Sequence, residues 1–391
     1  MENGNMKIAI ISNLYKPYTR GGAERIVELT VQGLKQAGHD VFVISTKPQK
    51  GIELVEESEA RVYRFKPLNI FYYLDDYKHN AFVRIIWNII DVFNFSSARV
   101  VTKILKEEKP ELVITHNLKG LGMLIPRAIK KLKIKNIHVL HDIQLVNPSG
   151  LMFWRQENSF VQNGLPSKIY QFILRKLFSQ ISSAIFPSVW LKNFYWEHRF
   201  FINAKKEVLR NPVIRPEIPV DVKREKQNTF LYLGQIEEHK GVLWLLDFWI
   251  KNKLDSKLIL AGKGNLNLDR YKDSKNIELI GFVERKDIEN LFKKADFLIF
   301  PSLCYENSPT VIIESLQNAT PVIVADIGGS AELVQDGLSG FIFKPENEAE
   351  LLNCIQKASN LNNLEYTAMS LNAQESVKKL DLCTYIEKLL T

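Results

Sequence analysis

Cysteine is scarce in this 391-residue chain, three in all, and Cys304, Cys354 and Cys383 are scattered. That excludes a disulfide framework, implies no structural metal and suits a reducing cytoplasm. Long apolar runs are missing as well. The most apolar, aromatic-rich stretch, residues 81–95, is broken by Arg84, Asn88 and Asp91. Nothing approaches the roughly 18 uninterrupted apolar residues of a membrane span, so any membrane contact is expected to be peripheral. The chain opens almost directly into the apolar run Ile8–Ile11 without a charged region, a longer apolar stretch and a small-residue cleavage site, so a secretory leader is not expected. A disordered composition is also absent, with 46% hydrophobic and 25% charged residues, an ordinary soluble balance.

Negative charge is short in one half only. Up to Phe200 there are 28 Lys and Arg against 17 Asp and Glu; beyond it there are 24 against 27, and the whole chain carries +8. A basic first half fits an anionic membrane surface, an acidic substrate, nucleic acid or merely lysine-rich solvated helices, so charge by itself selects no partner.

What is present is a repeated alternation. Ile8–Ile11, Val41–Ile44, Leu112–Thr115, Ile137–Leu140 and Ala184–Phe186 read as buried parallel strands, with helical spacing between them, as in Glu24–Ala37 ending at Gly38. The second half repeats this with strands at Thr229–Leu233, Lys257–Leu260, Ile277–Leu279, Phe297–Phe300 and Pro321–Val324. The length also favours two domains. The expectation is therefore two doubly wound α/β domains, over residues 1–204 and 227–370. Asn211–Pro219 packs three prolines into nine residues, so residues 205–226 read as a linker. Residues 371–391 read as a terminal helix that packs back on the first domain.

In open parallel sheets ligands bind beyond the carboxyl ends of the strands. After the first strand, Gly21-Gly22 opens a helix, which suits a phosphate or a plain turn; no G-x-G-x-x-G follows, which disfavours a nicotinamide-dependent oxidoreductase. His116, His141 and Ser188 end three further strands. In the second half, Gly234-Gln235 leads to Lys240-Gly241, and Gly262-Lys263-Gly264 follows the next strand, two basic, glycine-containing strand ends. Beyond Phe297–Phe300, Ser308 reads as an N-cap and Pro309 as the first helical residue. The amides of Thr310 and Val311 would then form an anion site flanked by Glu306 and Glu314, carboxylates able to accept from sugar hydroxyls.

Taken together, these segments resemble the family-4 glycosyltransferases of the GT-B fold. The resemblance rests on Gly21-Gly-Ala-Glu24, His141, Asn211-Pro-Val, Gly234 with Lys240-Gly241, Gly262-Lys-Gly264, Gly281-Phe282-Val283, Pro301-Ser302, Glu306–Glu314, Pro321-Val-Ile-Val, Gly328-Gly329 with Glu332, and Asp336-Gly337 with Gly340. It implies two Rossmann-like domains facing a cleft and retaining, metal-independent transfer of a hexosyl group, with no cofactor beyond a UDP- or GDP-sugar donor. Glu306 would bind donor-sugar hydroxyls and Glu314 the ribose. Amides in the segment Ser308-Pro309-Thr310-Val311, together with Lys240 and the Gly21-Gly22 loop, would hold the diphosphate, Gly281, Phe282 and Val283 would line the base pocket, and His141 would sit beside the anomeric carbon. One position departs from the family, Gln235, where arginine is common; this implies a weaker diphosphate clamp, a compensating cation or lost activity. The acceptor would be a glycan or lipid-linked molecule in cell-surface polysaccharide or glycolipid assembly, reached from the cytoplasmic face of an anionic membrane, with no nucleic acid involved. Aromatic and cationic residues mix in Phe71–Arg84 and in Trp154–Lys176, which reads as the docking surface. A non-catalytic nucleotide-sugar-binding protein and a GT-B epimerase are the competing readings.

Overall fold

The computed structural model describes residues 5–213 and 225–391; Pro216 and Pro219 of the expected linker lie outside them. The chain forms two compact units, one made of Met1–Leu151, Asn158–Pro212 and Leu382–Thr391, the other of Met152–Glu157 and Val213–Asp381.

In the first unit, eight strands follow the chain: β1 (Lys7–Ile11), β2 (Asp40–Thr46), β3 (Ile52–Glu56), β4 (Arg61–Phe65), β5 (Leu112–Thr115), β6 (Lys135–Val139), β7 (Ser183–Phe186) and β8 (Lys205–Val208). They lie in the order β3-β4-β2-β1-β5-β6-β7-β8, all parallel except for the antiparallel pair β3 and β4. The helices are α1 (Gly22–Gln36), α2 (Ala81–Val92), α3 (Phe95–Glu108), α4 (Ile125–Lys131), α5 (Phe160–Asn163), α6 (Leu165–Phe178) and α7 (Val189–Glu197). Central strands are apolar throughout because helices cover both faces of such a sheet.

The second unit carries β9 (Thr229–Leu233), β10 (Lys257–Ala261), β11 (Ile277–Gly281), β12 (Phe297–Phe300), β13 (Val322–Ala325) and β14 (Gly340–Phe343), with α8 (Val242–Lys251), α9 (Ile288–Lys294), α10 (Thr310–Gln317), α11 (Glu348–Asn360) and α12 (Asn363–Ser376). Its strands run in the order β11-β10-β9-β12-β13-β14. One core, around Phe230, Trp249 and Tyr366, and another, around Leu298, Ile313 and Phe292, are built from this sheet and its helices.

Several expectations need correction. Residues 205–208 are not linker: they form β8, paired in parallel with β7. A charged edge strand needs only backbone donors and acceptors, so its Lys-Lys-Glu-Val sequence carries no apolar signal. The hairpin β3–β4 escaped for the same reason, since β3 is largely exposed. Residues 152–157 leave the first domain's expected range and join the second unit, where Trp154 N–H donates to Leu303 O at 2.9 Å and Tyr305 N–H to Met152 O at 2.9 Å. The terminal segment 371–391 is not one helix. The chain keeps α12 in the second unit and breaks at residues 377–381, and a last helix, α13 (Leu382–Leu390), packs on α1 in the first core.

That packing depends on Gly33, where a Cβ would lie 2.6 Å from Ile386 Cγ1 and 2.9 Å from Leu382 Cδ1. Gly33→Val is therefore expected to lower stability by about 1–3 kcal/mol through overpacking, although valine is the better helix former. Faster amide exchange across Leu382–Leu390 is the check; unchanged protection there would refute the contact.

Candidate active site

In the second unit the candidate residues stand at the carboxyl ends of β9, β10 and β12. Lys240 closes a short turn before α8, and Gly241 follows it with φ +72°, so close to β12's end that a Cβ would meet Pro301 O at 2.0 Å. Only glycine tolerates both the left-handed backbone and that approach. On the far side, Gly328, φ +63°, lies against the Glu306 backbone, and Gly329 N–H donates to Glu306 O at 2.6 Å. The strap at 152–157 brackets the same loop through the Phe153–Cys304 bridge and a 2.5 Å hydrogen bond from Tyr305 Oη to Glu157 Oε1.

These constraints bring Lys240 Nζ directly onto Glu306 Oε1 as an ion pair, with Cys304 Sγ 3.7 Å from the same oxygen. The two side chains are 19% and 21% exposed. Burial works against the Lys240 charge, but Glu306 and its neighbours outweigh it and raise the ammonium above the ordinary lysine value. Burial, then Glu306, pushes the Cys304 thiol up to about 12, so it stays protonated. The sequence reading assigned Lys240 to phosphate and Glu306 to sugar; the fold makes them one unit, a cation held in place by its carboxylate.

Helix α10 begins at Thr310, with Pro309 as N-cap in an extended conformation (ψ 121°). The expected assignment is thus shifted by one residue: Ser308 is buried and is not the cap. Thr310 and Val311 are therefore the first two residues of the helix. Glu314, one turn on, is engaged by Arg285 at 2.9 Å, a residue to which the sequence reading gave no role at the site. Gly281 ends β11 with φ +79°, and Phe282 is 64% exposed with the Lys263 ammonium 5.2 Å from its ring centroid. Lys263 is also tied to the Gln235 turn: Ile236 N–H donates to Lys263 O at 2.9 Å, and Gly234 N–H to Ala261 O at 3.1 Å.

In the first unit, Gly21 and Gly22 open α1, but the Gly21 N–H donates to Glu24 Oε2 at 2.7 Å. That amide already has an anionic acceptor, and burial raises the Glu24 carboxyl. His116 and His141 are stacked, their ring nitrogens Nδ1 and Nε2 2.9 Å apart. The His116 Nε2 atom is buried without a hydrogen-bond partner among the described residues. An orphan acceptor costs less than an orphan N–H, so the His116 proton belongs on Nδ1, donating to His141 Nε2. That leaves His141 neutral with its proton on Nδ1, a hydrogen-bond donor. Asp142 accepts from Gln144 N–H at 2.8 Å and from Asn117 Nδ2 at 3.3 Å. Lys119, unremarked in the sequence, is half-buried and donates to Pro148 O.

Burial pushes His138 down to about 3 and His141 to about 4, and His116 well below an ordinary histidine. Between those values and about 6.5 the unfolded imidazoles are charged and the folded ones are not, so the unfolded state binds the extra protons. Stability from these groups is present above about pH 6.5 and is lost as pH falls toward 4. Asp91 and Asp142 act oppositely: burial raises them to about 7 and about 6, so their contribution is present in acid and is lost as pH rises through 6 to 7. His138→Gln is expected to remove about one proton from the acid-side slope of unfolding free energy against pH. An unchanged slope would contradict the buried neutral state.

The Glycosyltransferase Family 4 model matches residues 20–214 and the Glycosyl transferases group 1 model matches residues 214–376. An uncharacterized 42.6 kDa protein in the cps region of Klebsiella pneumoniae is 25% identical over 331 residues, covering 84% of this chain and 87% of that protein. An Escherichia coli UDP-Gal:alpha-D-GlcNAc-diphosphoundecaprenol alpha-1,3-galactosyltransferase is 28% identical over 149 residues, 34% of this chain and 38% of its own. The crystal structure of Anabaena HepE in complex with UDP superposes with a TM-score of 0.70 at 17% identity, covering 98% of each chain. Two α/β units, each built on a largely parallel sheet, define a GT-B protein. The chain belongs to the family-4 glycosyltransferases.

Proposed function

We propose that this glycosyltransferase moves a hexosyl group, with retention and without a metal, from a UDP- or GDP-sugar to a glycan or lipid-linked acceptor in cell-surface polysaccharide or glycolipid assembly. The observation that carries the reading is the Lys240–Glu306 ion pair, with Glu306 in the loop that leads into α10. Lys240 and the first amides of α10 meet the departing diphosphate, whose growing charge is the main thing to stabilise. Glu306 accepts from sugar hydroxyls through its remaining lone pairs, and Glu314 serves the ribose beside the base site at Gly281–Val283. His141, neutral and hydrogen-bonded to His116, orients donor or acceptor and does not act as a nucleophile. The lipid-linked acceptor of the galactosyltransferase relative supports the acceptor class.

Peripheral contact with an anionic membrane on its inner, cytoplasmic face belongs to the same reading. Phe71, Tyr72 and Tyr73, expected on that surface, are buried, and so are Leu177 and Phe178 of α6. Exposed instead are Phe160, Leu165, Ile169 and Phe172, beside Lys168 and Lys176. No helix among the described residues is long and apolar enough to cross a membrane.

The test is a screen of UDP- and GDP-hexoses in EDTA, with and without lipid-linked and free glycan acceptors, followed by anomeric analysis of the product. Retained configuration in a chelator-resistant product is expected. Nucleotide release with no acceptor product would indicate an epimerase, binding without turnover a non-catalytic protein, and activity restored only by added Mg²⁺ would overturn metal independence.

A further inference from the structure

Resting on that membrane contact, we propose a specific seat for it: the groove between α3 and α4 holds the phosphate headgroups of anionic bilayer lipids, and the outward face of α2 enters the same leaflet. The groove has a volume of about 730 Å³. Ala98, Leu124 and Ala128 contribute apolar lining, and Arg99, Lys103, Lys106, Arg127 and Lys131 supply five cations against one carboxylate, Glu107. On α3 these cations recur at positions 99, 103 and 106, the spacing of one helix face. Lys103 is the partner of Glu107, at 3.9 Å. Arg99, Lys106, Arg127 and Lys131 make no ion pair among the described residues. Like charges gathered without partners repel one another, and an anion offsets that cost.

What selects a bilayer over a soluble anion is the other end of the groove. Phe95, 63% exposed, lines it and is the first residue of α3. It continues the outward row of α2: Phe82, Ile85, Ile86, Ile89 and then Phe93 are all exposed, at helical spacing. Trp87 turns inward together with Asp91 and Val92, stacking on Phe71 at 5.3 Å and donating to Phe71 O at 2.9 Å. A helix held by Trp87, Asp91 and Val92 on its inner face and apolar on its outer face is solvated poorly in water, and a contiguous row of this size marks an interaction surface. Acyl chains suit the row, and headgroup phosphates suit the cations at its edge.

The experiment compares partitioning of the full-length protein onto neutral phosphatidylcholine vesicles and onto vesicles containing phosphatidylglycerol, for wild type, Arg99→Gln/Arg127→Gln, and the α6 control Lys168→Gln/Lys176→Gln. Each cation near an anionic surface is worth on the order of fivefold in partitioning. The groove variant should therefore lose roughly 25-fold on anionic vesicles, with donor hydrolysis and far-UV circular dichroism unchanged, while the α6 control loses less. A loss confined to the α6 variant overturns the groove and leaves the membrane reading standing. Equal wild-type partitioning onto both vesicle types removes the membrane reading itself. Saturable binding of glycerol phosphate that depends on Arg99 and Arg127, with vesicle binding unaffected by their loss, would assign the groove to a soluble anion and also overturn the proposal.

Discussion

Glu306→Ala is expected to lower glycosyl transfer from the preferred donor by about 10²–10³-fold, the scale for losing one preorganised electrostatic contact at a reacting centre. The geometry adds a signature that a merely structural glutamate would not give. Glu306 holds the Lys240 ammonium, so removing the carboxylate frees that cation for the diphosphate. Affinity for the free nucleoside diphosphate should then stay level or tighten while turnover collapses. Lys240→Ala should do the reverse, weakening the nucleoside diphosphate as well as slowing transfer. The double variant should fall well short of the summed losses, because residues in contact are not additive. The fold should survive, since leaving one partner of a half-buried pair unmatched costs about 1–3 kcal/mol. Glu306→Ala turnover within tenfold of wild type would sink the assignment.

Gln235→Arg is expected to tighten donor binding about tenfold, the value of one added hydrogen bond to a charged group. The family's usual arginine is replaced here by a neutral amide, which offers neither charge nor a bidentate grip. The structure identifies a neighbouring cation. Lys263 lies on the adjoining strand end, its carbonyl bonded to the Ile236 amide next to Gln235, and its ammonium reaches the exposed face of Phe282. Lys263→Ala should therefore raise the donor KM about tenfold, with kcat less affected, and Gln235→Arg should restore it in the double variant. A Lys263→Ala enzyme with unchanged donor KM would leave the missing arginine uncompensated, and a Gln235→Arg enzyme with no gain would argue against a weak clamp at that position.

Much of this was legible without coordinates. The apolar runs at Ile8–Ile11, Leu112–Thr115, Thr229–Leu233 and Phe297–Phe300 became central parallel strands because a strand covered on both faces must be apolar on both, and that is visible in one dimension. Glycines also marked their own roles: Gly241 and Gly328 sit where backbone meets backbone, a demand only one residue type meets. Edges were harder. Strands β3 and β8 escaped because pairing at a sheet margin is made by backbone groups common to every residue.

The ion pair between Glu306 and Lys240, with which this enzyme's chemistry is best tested, shows where the division falls. The sequence by itself determined that a helix flanked by carboxylates starts soon after β12: that is a local pattern, set by capping and backbone geometry over a few residues. Only the tertiary structure decided that Lys240, 66 positions earlier, is the cation that Glu306 holds, that residues 152–157 brace the loop from a distant part of the chain, and that α2 turns its apolar row outward. Those outcomes depend on which surfaces meet after the sheets close. Periodicity reports that a helix has an apolar face; packing decides whether that face is covered.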